Sequence, residues 1–294
     1  MATLFATAAS GTEDLLAKEL KHLGFARGKR AVGGVHFSVD DGAELAEGLR
    51  ACLHLRSALR VLWPLASAPV GNADELYQLA AGIAWEEFVT PATTFAVSAT
   101  TRAPAPLAHG PFLGQRIKDA VVDRLRQRRG ARPNVDRDQP NVRVYVHAGA
   151  PGHGAACAAT VGLDISGDSL HARGYRQDSG TAPLRETLAA AVVLATGWTG
   201  ETPFHDPMCG SGTLAIEAAL LATRTAPGLI GSPRRFGALG WPIFGDEERR
   251  RYQDAVAQAR AHVRPAPFAI VASDHDPDVL ADAQHNLRRC PPEV

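Results

Sequence analysis

The alternation of apolar and polar positions divides the chain into short elements. Leu4–Ala8 predicts a strand. Leu15, Leu16, Leu20 and Leu23 recur at helical spacing, with Thr12 as candidate N-cap, Glu13 and Asp14 in the first turn, and Gly24 as terminator. Val35-His36-Phe37-Ser38-Val39 alternates as a strand does, followed by a helix over about 42–52 and a strand over 60–65. Further on, 73–81 predicts a helix, and 85–88 leads into a strand at 94–99. Residues 113–128 are amphipathic, with Ile117, Val121, Val122 and Leu125 on one face and Arg116, Lys118, Arg124, Arg126 and Arg128 largely on the other. A turn-rich loop covers 132–140, and strands are expected at 142–148 and 155–163. The second of these is expected to form a hairpin with 170–172, closed by Ser166-Gly167-Asp168.

From about Pro183 the pattern changes to alternating helices and short strands. A helix of small apolar residues is predicted over 186–198 and a strand over 203–205. Asp206–Thr213 then runs straight into a helix at 214–223. Residues 224–245 read as a Gly/Pro-rich loop, 247–262 as a charged helix, 268–272 as a strand and 279–289 as a helix. The fold class is therefore α/β, with an α+β N-terminal part whose β-α-β-β-α-β order suggests a ferredoxin-like unit.

Composition narrows the class. Of 294 residues, 45% are hydrophobic and 21% charged, which suits a folded protein with a real core. No apolar run approaches the ~20 residues of a membrane helix, and the N-terminus lacks a basic leader, so a cytoplasmic protein with no membrane partner is expected. The four cysteines form no Cys-x-x-Cys pair, which argues against a metal site. The zero net charge hides a contrast: residues 101–147 carry 10 basic and 4 acidic side chains, whereas 1–100 and 148–294 are each net −3. That basic block is either a solvated helix face or a phosphate-contacting surface.

The strongest chemical signal is Asp206-Pro207-Met208-Cys209-Gly210-Ser211-Gly212-Thr213 between a strand and a helix. Glycines permit a tight turn and close ligand approach, and helix N-terminal amides favour a carboxylate or phosphate. The Gly-Lys-Ser/Thr ending of a P-loop is missing, while Gly210-x-Gly212-x-x-Ala215 is a weak dinucleotide pattern. S-adenosylmethionine fits better. Asp206 suits its cationic groups, the helix N-terminus its carboxylate, and Asp274, with Asp276 two residues on, its ribose hydroxyls. From Gly212 to Asp274 is 62 residues rather than about 20, so 224–262 is expected to be an insertion.

These residues, with Ile216-Glu217-Ala218-Ala219 behind them, resemble the cofactor motif of THUMP-containing 23S rRNA guanine-N2 methyltransferases. Leu163–Arg176 resembles the stretch this family places before its methyltransferase domain, and Arg132-Pro-Asn-Val-Asp-Arg-Asp138 resembles the end of its THUMP domain. Leu4-Phe5-Ala6 and Gly33–Phe37 also fit. The resemblance implies a ferredoxin-like unit over 1–60, a THUMP RNA-binding domain over 61–165 and the start of a Rossmann-like methyltransferase domain over 166–294. It implies S-adenosylmethionine as cofactor, held by Asp206, Pro207, Cys209, Gly210, Ser211, Gly212, Thr213, Asp274 and Asp276. It implies 23S rRNA rather than DNA as partner, contacted by Arg116, Lys118, Arg124, Arg128, Arg132, Arg137 and Arg143.

The family's Asn/Asp-Pro-Pro-Tyr motif does not occur in the sequence; Pro291-Pro292-Glu293 lacks the Asn and the aromatic. No catalytic residue is assigned for that reason. The 89 residues from Asp206 to Val294 are short of the strands a doubly wound sheet needs, so an incomplete domain, inactive on its own, is expected. Two other readings stay open: a non-catalytic RNA-binding protein with a vestigial cofactor fold, and an NAD-dependent oxidoreductase. Arg173, Tyr175 and Arg176 are either interdomain packing or acceptor contacts, and His205 is expected to be structural.

Overall fold

A computed structural model describes residues 1–149, 157–176, 184–231 and 236–294. The chain divides into two compact units. Unit 1 holds Met1–Val61, Asp168–Arg235 and Glu247–Val294; unit 2 holds Leu62–Gly167 and Phe236–Asp246.

Unit 1 opens with β1 (Ala2–Ala8), α1 (Glu13–His22), β2 (Ala26–Ala31), β3 (Gly34–Val39), α2 (Glu44–His54) and the first residues of β4 (Ala58–Pro69). The strand order β2-β3-β1-β4, with β1 and β2 both antiparallel to β3, is the ferredoxin-like arrangement. Alternation puts Leu4, Ala6, Val35 and Phe37 on the buried face, against Leu16 and Leu20 of α1 and Leu49 of α2. Thr12 stands at the expected N-cap, but its side chain donates to the Ala9 carbonyl and caps nothing. Glu13 takes up the local amides instead, accepting from Gly11 at 2.8 Å and Gly33 at 3.1 Å.

Unit 2 holds the remainder of β4, α3 (Ala73–Ala81), β5 (Thr94–Thr101), α4 (Gly110–Arg129), β6 (Asn134–Val135), β7 (Val142–Gly149) and β8 (Ala158–Asp164). Its strands run in the order β4-β8-β7-β5-β6. The expected hairpin between 155–163 and 170–172 does not form. Instead β8 pairs antiparallel with β7 and β4, whose apolar alternation matches its own, and 170–172 is a turn; residues 155–156 lie outside the described ones. Asn72 caps α3 by accepting from the Asp74 and Glu75 amides. His109 caps α4, and Gly130 closes it at φ 70°. Leu113, Ile117, Val121 and Leu125 of α4 are buried, and three arginines in its last turn complement the helix dipole.

Apart from Phe236–Asp246, the rest of the chain returns to unit 1. It comprises α5 (Glu186–Ala195), β9 (Phe204–Asp206), α6 (Thr213–Ala222), α7 (Asp246–Ala261), β10 (Ile270–Ala272) and α8 (Pro277–Leu287). Among the described residues, β9 and β10 form a parallel two-stranded sheet, with α6 against both strands. The expected loop 224–245 is not idle chain. Phe236, Trp241 and Phe244 are buried in unit 2, where Gly237 and Ala238 donate to the carbonyls of Ser166 and Ile165. Those three aromatics give the segment an apolar face of its own. No helix among the described residues is long and apolar enough to cross a membrane.

Candidate functional site

Parallel pairing of Phe204–Asp206 with Ile270–Ala272 brings the C-terminal ends of β9 and β10 side by side. Such strand ends are where open α/β sheets bind ligands. Ser273 donates to the Asp206 carbonyl at 2.9 Å, Cys209 to the Ser273 carbonyl at 3.0 Å, and Gly210 to Asp274 Oδ2 at 2.9 Å. The loop after β9 is thereby laced to the loop after β10, bringing Asp206 and Asp274 together despite 68 residues of separation. Gly212 is at φ +80°, and a Cβ there would meet the Ala283 Cβ of α8 at 3.0 Å. Gly210 is also left-handed, at φ +51°, but a Cβ there would meet nothing within 4 Å. The first glycine leaves the outer side open to a ligand; the second allows α8 to pack close.

Asp206 is buried, and its Oδ1 accepts from Met208 N–H at 3.3 Å. The Gly210 N–H first, and the Asp276 N–H next, hold the Asp274 carboxyl below its usual range. Asp276 is partly turned to another task, since its side chain caps α8 by accepting from Asp278 N–H. Burial, reinforced by Asp206 and Asp274, pushes the Cys209 thiol up, so it is no thiolate nucleophile. Pro207 and Met208 are exposed, Ser211 is half-buried and Thr213 is buried as the first residue of α6. Gly212 supplies no side-chain cap, which leaves the first-turn amides of α6 for a ligand anion. A buried acid, Asp206, and a half-buried one, Asp274, beside uncapped helix amides and a glycine gap fit the ammonium, carboxylate and ribose of S-adenosylmethionine. His205 bonds the Ser273 hydroxyl at 3.0 Å.

One contributor escaped sequence reasoning, and another was named there only as part of the motif. Asn286 of α8 is fully buried and donates to the Ser211 carbonyl at 3.1 Å. Its signal was an amide on the inner face of an amphipathic helix, at helical spacing from Ala283. Behind the loop, Glu217 of α6 lies in a buried polar cluster. Arg173 reaches it through Nε at 3.1 Å and Nη2 at 3.3 Å, and Tyr175 donates its hydroxyl at 3.1 Å. Arg173 and Tyr175 are 1% and 0% exposed, so they are packing residues rather than acceptor contacts. Arg176 is likewise tied to Glu186 at 2.8 Å.

The basic block of unit 2 divides by availability. Arg124 donates to both Glu86 oxygens at 2.8 Å and to the Ala81 carbonyl at 2.9 Å. It is internally neutralised, contrary to the expected role on RNA. Arg116 lies 5.0 Å over the Tyr77 ring and pairs with Asp74 at 2.7 Å. Arg116, Lys118 and Arg132 share a groove of about 490 Å³ with Arg126, whereas Arg128 and Arg137 are exposed elsewhere. Arg143 is half-buried on β7, apart from that groove.

Residues 3–62 match the family model of the RlmL ferredoxin-like domain, 70–150 that of the THUMP domain, and 173–294 that of the RMKL-like methyltransferase domain. The methyltransferase match removes the oxidoreductase reading. Among solved structures, the chain resembles a predicted N6-adenine-specific DNA methylase from Listeria monocytogenes at 31% identity and TM-score 0.82, covering 98% of this chain and 71% of that one. SMU.472, solved in complex with SAH, matches at 28% identity and TM-score 0.81, covering 98% of this chain and 72% of that one. A methylase from Clostridium difficile 630 gives 27%, 0.82, 98% and 72%. With the cradle geometry and all three domain matches in hand, the chain belongs to the THUMP-containing, S-adenosylmethionine-dependent methyltransferases with an RlmL-type ferredoxin-like domain.

Proposed function

We propose that this chain serves methylation of a guanine exocyclic amine in 23S rRNA. The observation that carries the reading is the pairing of the glycine cradle at 206–213 with RlmL-type and THUMP domain matches in one chain. S-adenosylmethionine would supply an electrophilic methyl group on a sulfonium. Asp206 would serve its ammonium, the first-turn amides of α6 its carboxylate, and Asp274, oriented by Gly210, its ribose hydroxyls. Pro207, Cys209, Ser211 and Thr213 shape the loop, and Asp276 acts by capping α8. A guanine amine is a poor nucleophile, so the rate depends on positioning the acceptor. The sequence carries no Asn-Pro-Pro-Tyr element for that task, and the 294 residues alone are proposed to bind donor and RNA without completing transfer. Arg116, Lys118, Arg128, Arg132 and Arg137 are proposed to contact RNA phosphates, in a cytoplasmic setting.

The test is single-turnover incubation of radiolabelled S-adenosylmethionine with unmodified 23S rRNA, and separately with adenine-methylation-free DNA. Products are read as modified nucleosides by mass spectrometry, for this chain and for a fusion that appends the part of the SMU.472 methyltransferase this chain does not cover. N2-methylguanosine from the fusion only is the expected result. N6-methyladenine in DNA would overturn the substrate assignment, and product from the 294 residues alone would overturn their proposed inactivity.

A further inference from the structure

Helix α6 carries the cradle at its N-terminal end, yet Thr213–Ala222 brings no basic residue to its own last turn, and Glu217 is its single ionisable side chain. The last carbonyls of a helix need donors, and cations placed there complement the dipole. For α6 both come from other parts of unit 1. Arg264, beyond α7, donates through Nε to the Ala222 carbonyl at 3.2 Å. Arg56, from the ferredoxin-like part, donates through Nη2 to the Leu220 carbonyl at 3.1 Å and to the Thr225 carbonyl, just past the helix end, at 2.9 Å. Its Nη1 is buried without a partner among the described residues, so the hold on α6 passes through Nη2.

Arg56 is itself fixed at its backbone. Glu19 of α1 accepts from the Arg56 N–H at 2.8 Å and from the Ser57 N–H at 2.9 Å, which sets the turn between α2 and β4. The Arg56 carbonyl accepts from Arg173 Nη2 at 2.7 Å, and the same Nη2 reaches Glu217 in the middle of α6. Apolar contact backs the pairing: Leu53 of α2 is buried against Ala226 and Ala259, and a Cβ on Gly228 would stand 2.8 Å from the Leu53 Cα. Arg56 thus meets α6 twice, directly at its C-terminal carbonyls and through Arg173 at Glu217. A ten-residue helix is a stiff rod of about 15 Å, so holding its middle and far end sets the aim of its first-turn amides. We infer that Arg56 is a positioning residue for the cofactor site: it anchors α6 from the end opposite the cradle and gives the ferredoxin-like part a share in holding S-adenosylmethionine. This role rests on the reading that the first turn of α6 takes the cofactor carboxylate, and deepens it.

The experiment is calorimetry of S-adenosylhomocysteine binding to the full chain, with urea melts on the same samples. Arg56→Ala is expected to weaken binding about tenfold, because binding energy is then diverted into ordering α6. Arg56→Lys keeps a cation and a donor in place of Nη2 and should recover most of that affinity. Should Arg56→Ala not fold, Arg56→Gln, which loses the cation, is compared with Arg56→Lys in the same way. Val35→Ala, on β3, opens a cavity in the ferredoxin-like core and should lower the urea midpoint without moving the affinity. Equal loss of affinity in Val35→Ala, or no recovery in Arg56→Lys, would overturn the positioning role, since lost stability alone would then explain the effect. Gly212→Ala separates the two levels. If it removes binding while Arg56→Ala leaves binding intact, only the positioning role falls. If the unaltered chain does not bind, or Gly212→Ala binds equally well, the cradle reading falls with it.

Discussion

Replacing Glu217 by alanine should be among the most damaging single changes in unit 1. The substitution removes three hydrogen bonds, from Arg173 Nε, Arg173 Nη2 and the Tyr175 hydroxyl. It also strands a cation: Arg173 is 1% exposed and would keep only the Leu170 carbonyl at 3.3 Å and the Arg56 carbonyl at 2.7 Å. Removing one partner of a buried ion pair typically costs about 3–5 kcal/mol, a large share of the 5–15 kcal/mol that holds a typical domain together. The loss is driven by the uncompensated charge, so taking away both charges should undo most of it. Glu217→Leu combined with Arg173→Met is therefore expected to recover at least half of the stability lost in Glu217→Ala. Urea dependence of amide exchange across 213–222, read by mass spectrometry, follows α6 without interference from unit 2. A cost below about 1 kcal/mol for Glu217→Ala, or a double variant no more stable than the single one, would refute the reasoning.

Gly212→Ala forces a side chain into a left-handed backbone at φ +80° and against Ala283 at 3.0 Å. It should cost about 1–2 kcal/mol in stability and at least tenfold in calorimetric affinity for S-adenosylhomocysteine. Asn286→Ala leaves the half-buried Ser211 carbonyl without its 3.1 Å donor, and a loss of about 1 kcal/mol is expected in urea melts. Glu86, bonded by Arg124, has its carboxyl lowered to about 2, so its contribution is whole above the ordinary value of 4.5 and vanishes as pH falls through 2. Urea midpoints of the unaltered chain should fall across that window more steeply than those of Glu86→Gln; parallel curves would count against the pair.

Local pattern carried the sequence reading a long way because most elements here are set by it. The helix over 73–81 has its predicted ends since Asn72 caps it, and α4 ends where Gly130 allows a left-handed turn. The cradle was legible for a similar reason: a glycine turn between a strand and a helix is a local device. What escaped depends on partners far along the chain. β2 lacks an apolar alternation of its own, and β8 was matched to 170–172 although β4 and β7 offered longer pairings. The availability of Arg124 could not be read from a helical wheel, because Glu86 lies 38 residues before it.

The same distinction bears on how the cradle works. Cys209, Gly210 and Ser211 are three consecutive residues, and each is held by a different point between 273 and 286. Cys209 is held by the Ser273 carbonyl, Gly210 by Asp274 and Ser211 by Asn286, and the next residue, Gly212, leaves no room for a Cβ beside Ala283. A loop tied at three successive residues has little conformational freedom left to lose when a ligand arrives, so binding energy need not be diverted into ordering it. Two of these ties, at Asp274 and Asn286, come from side chains, and an alanine at either position releases one point while leaving the others. The Asn286→Ala variant should weaken cofactor binding mainly through entropy, with the binding enthalpy little changed in calorimetry, whereas Asp274→Ala also removes the proposed ribose contact and should lose enthalpy as well. A purely enthalpic loss at Asn286→Ala, which touches no ligand-facing atom, would mean that the loop reshapes rather than loosens, and that its rigidity does not set the affinity.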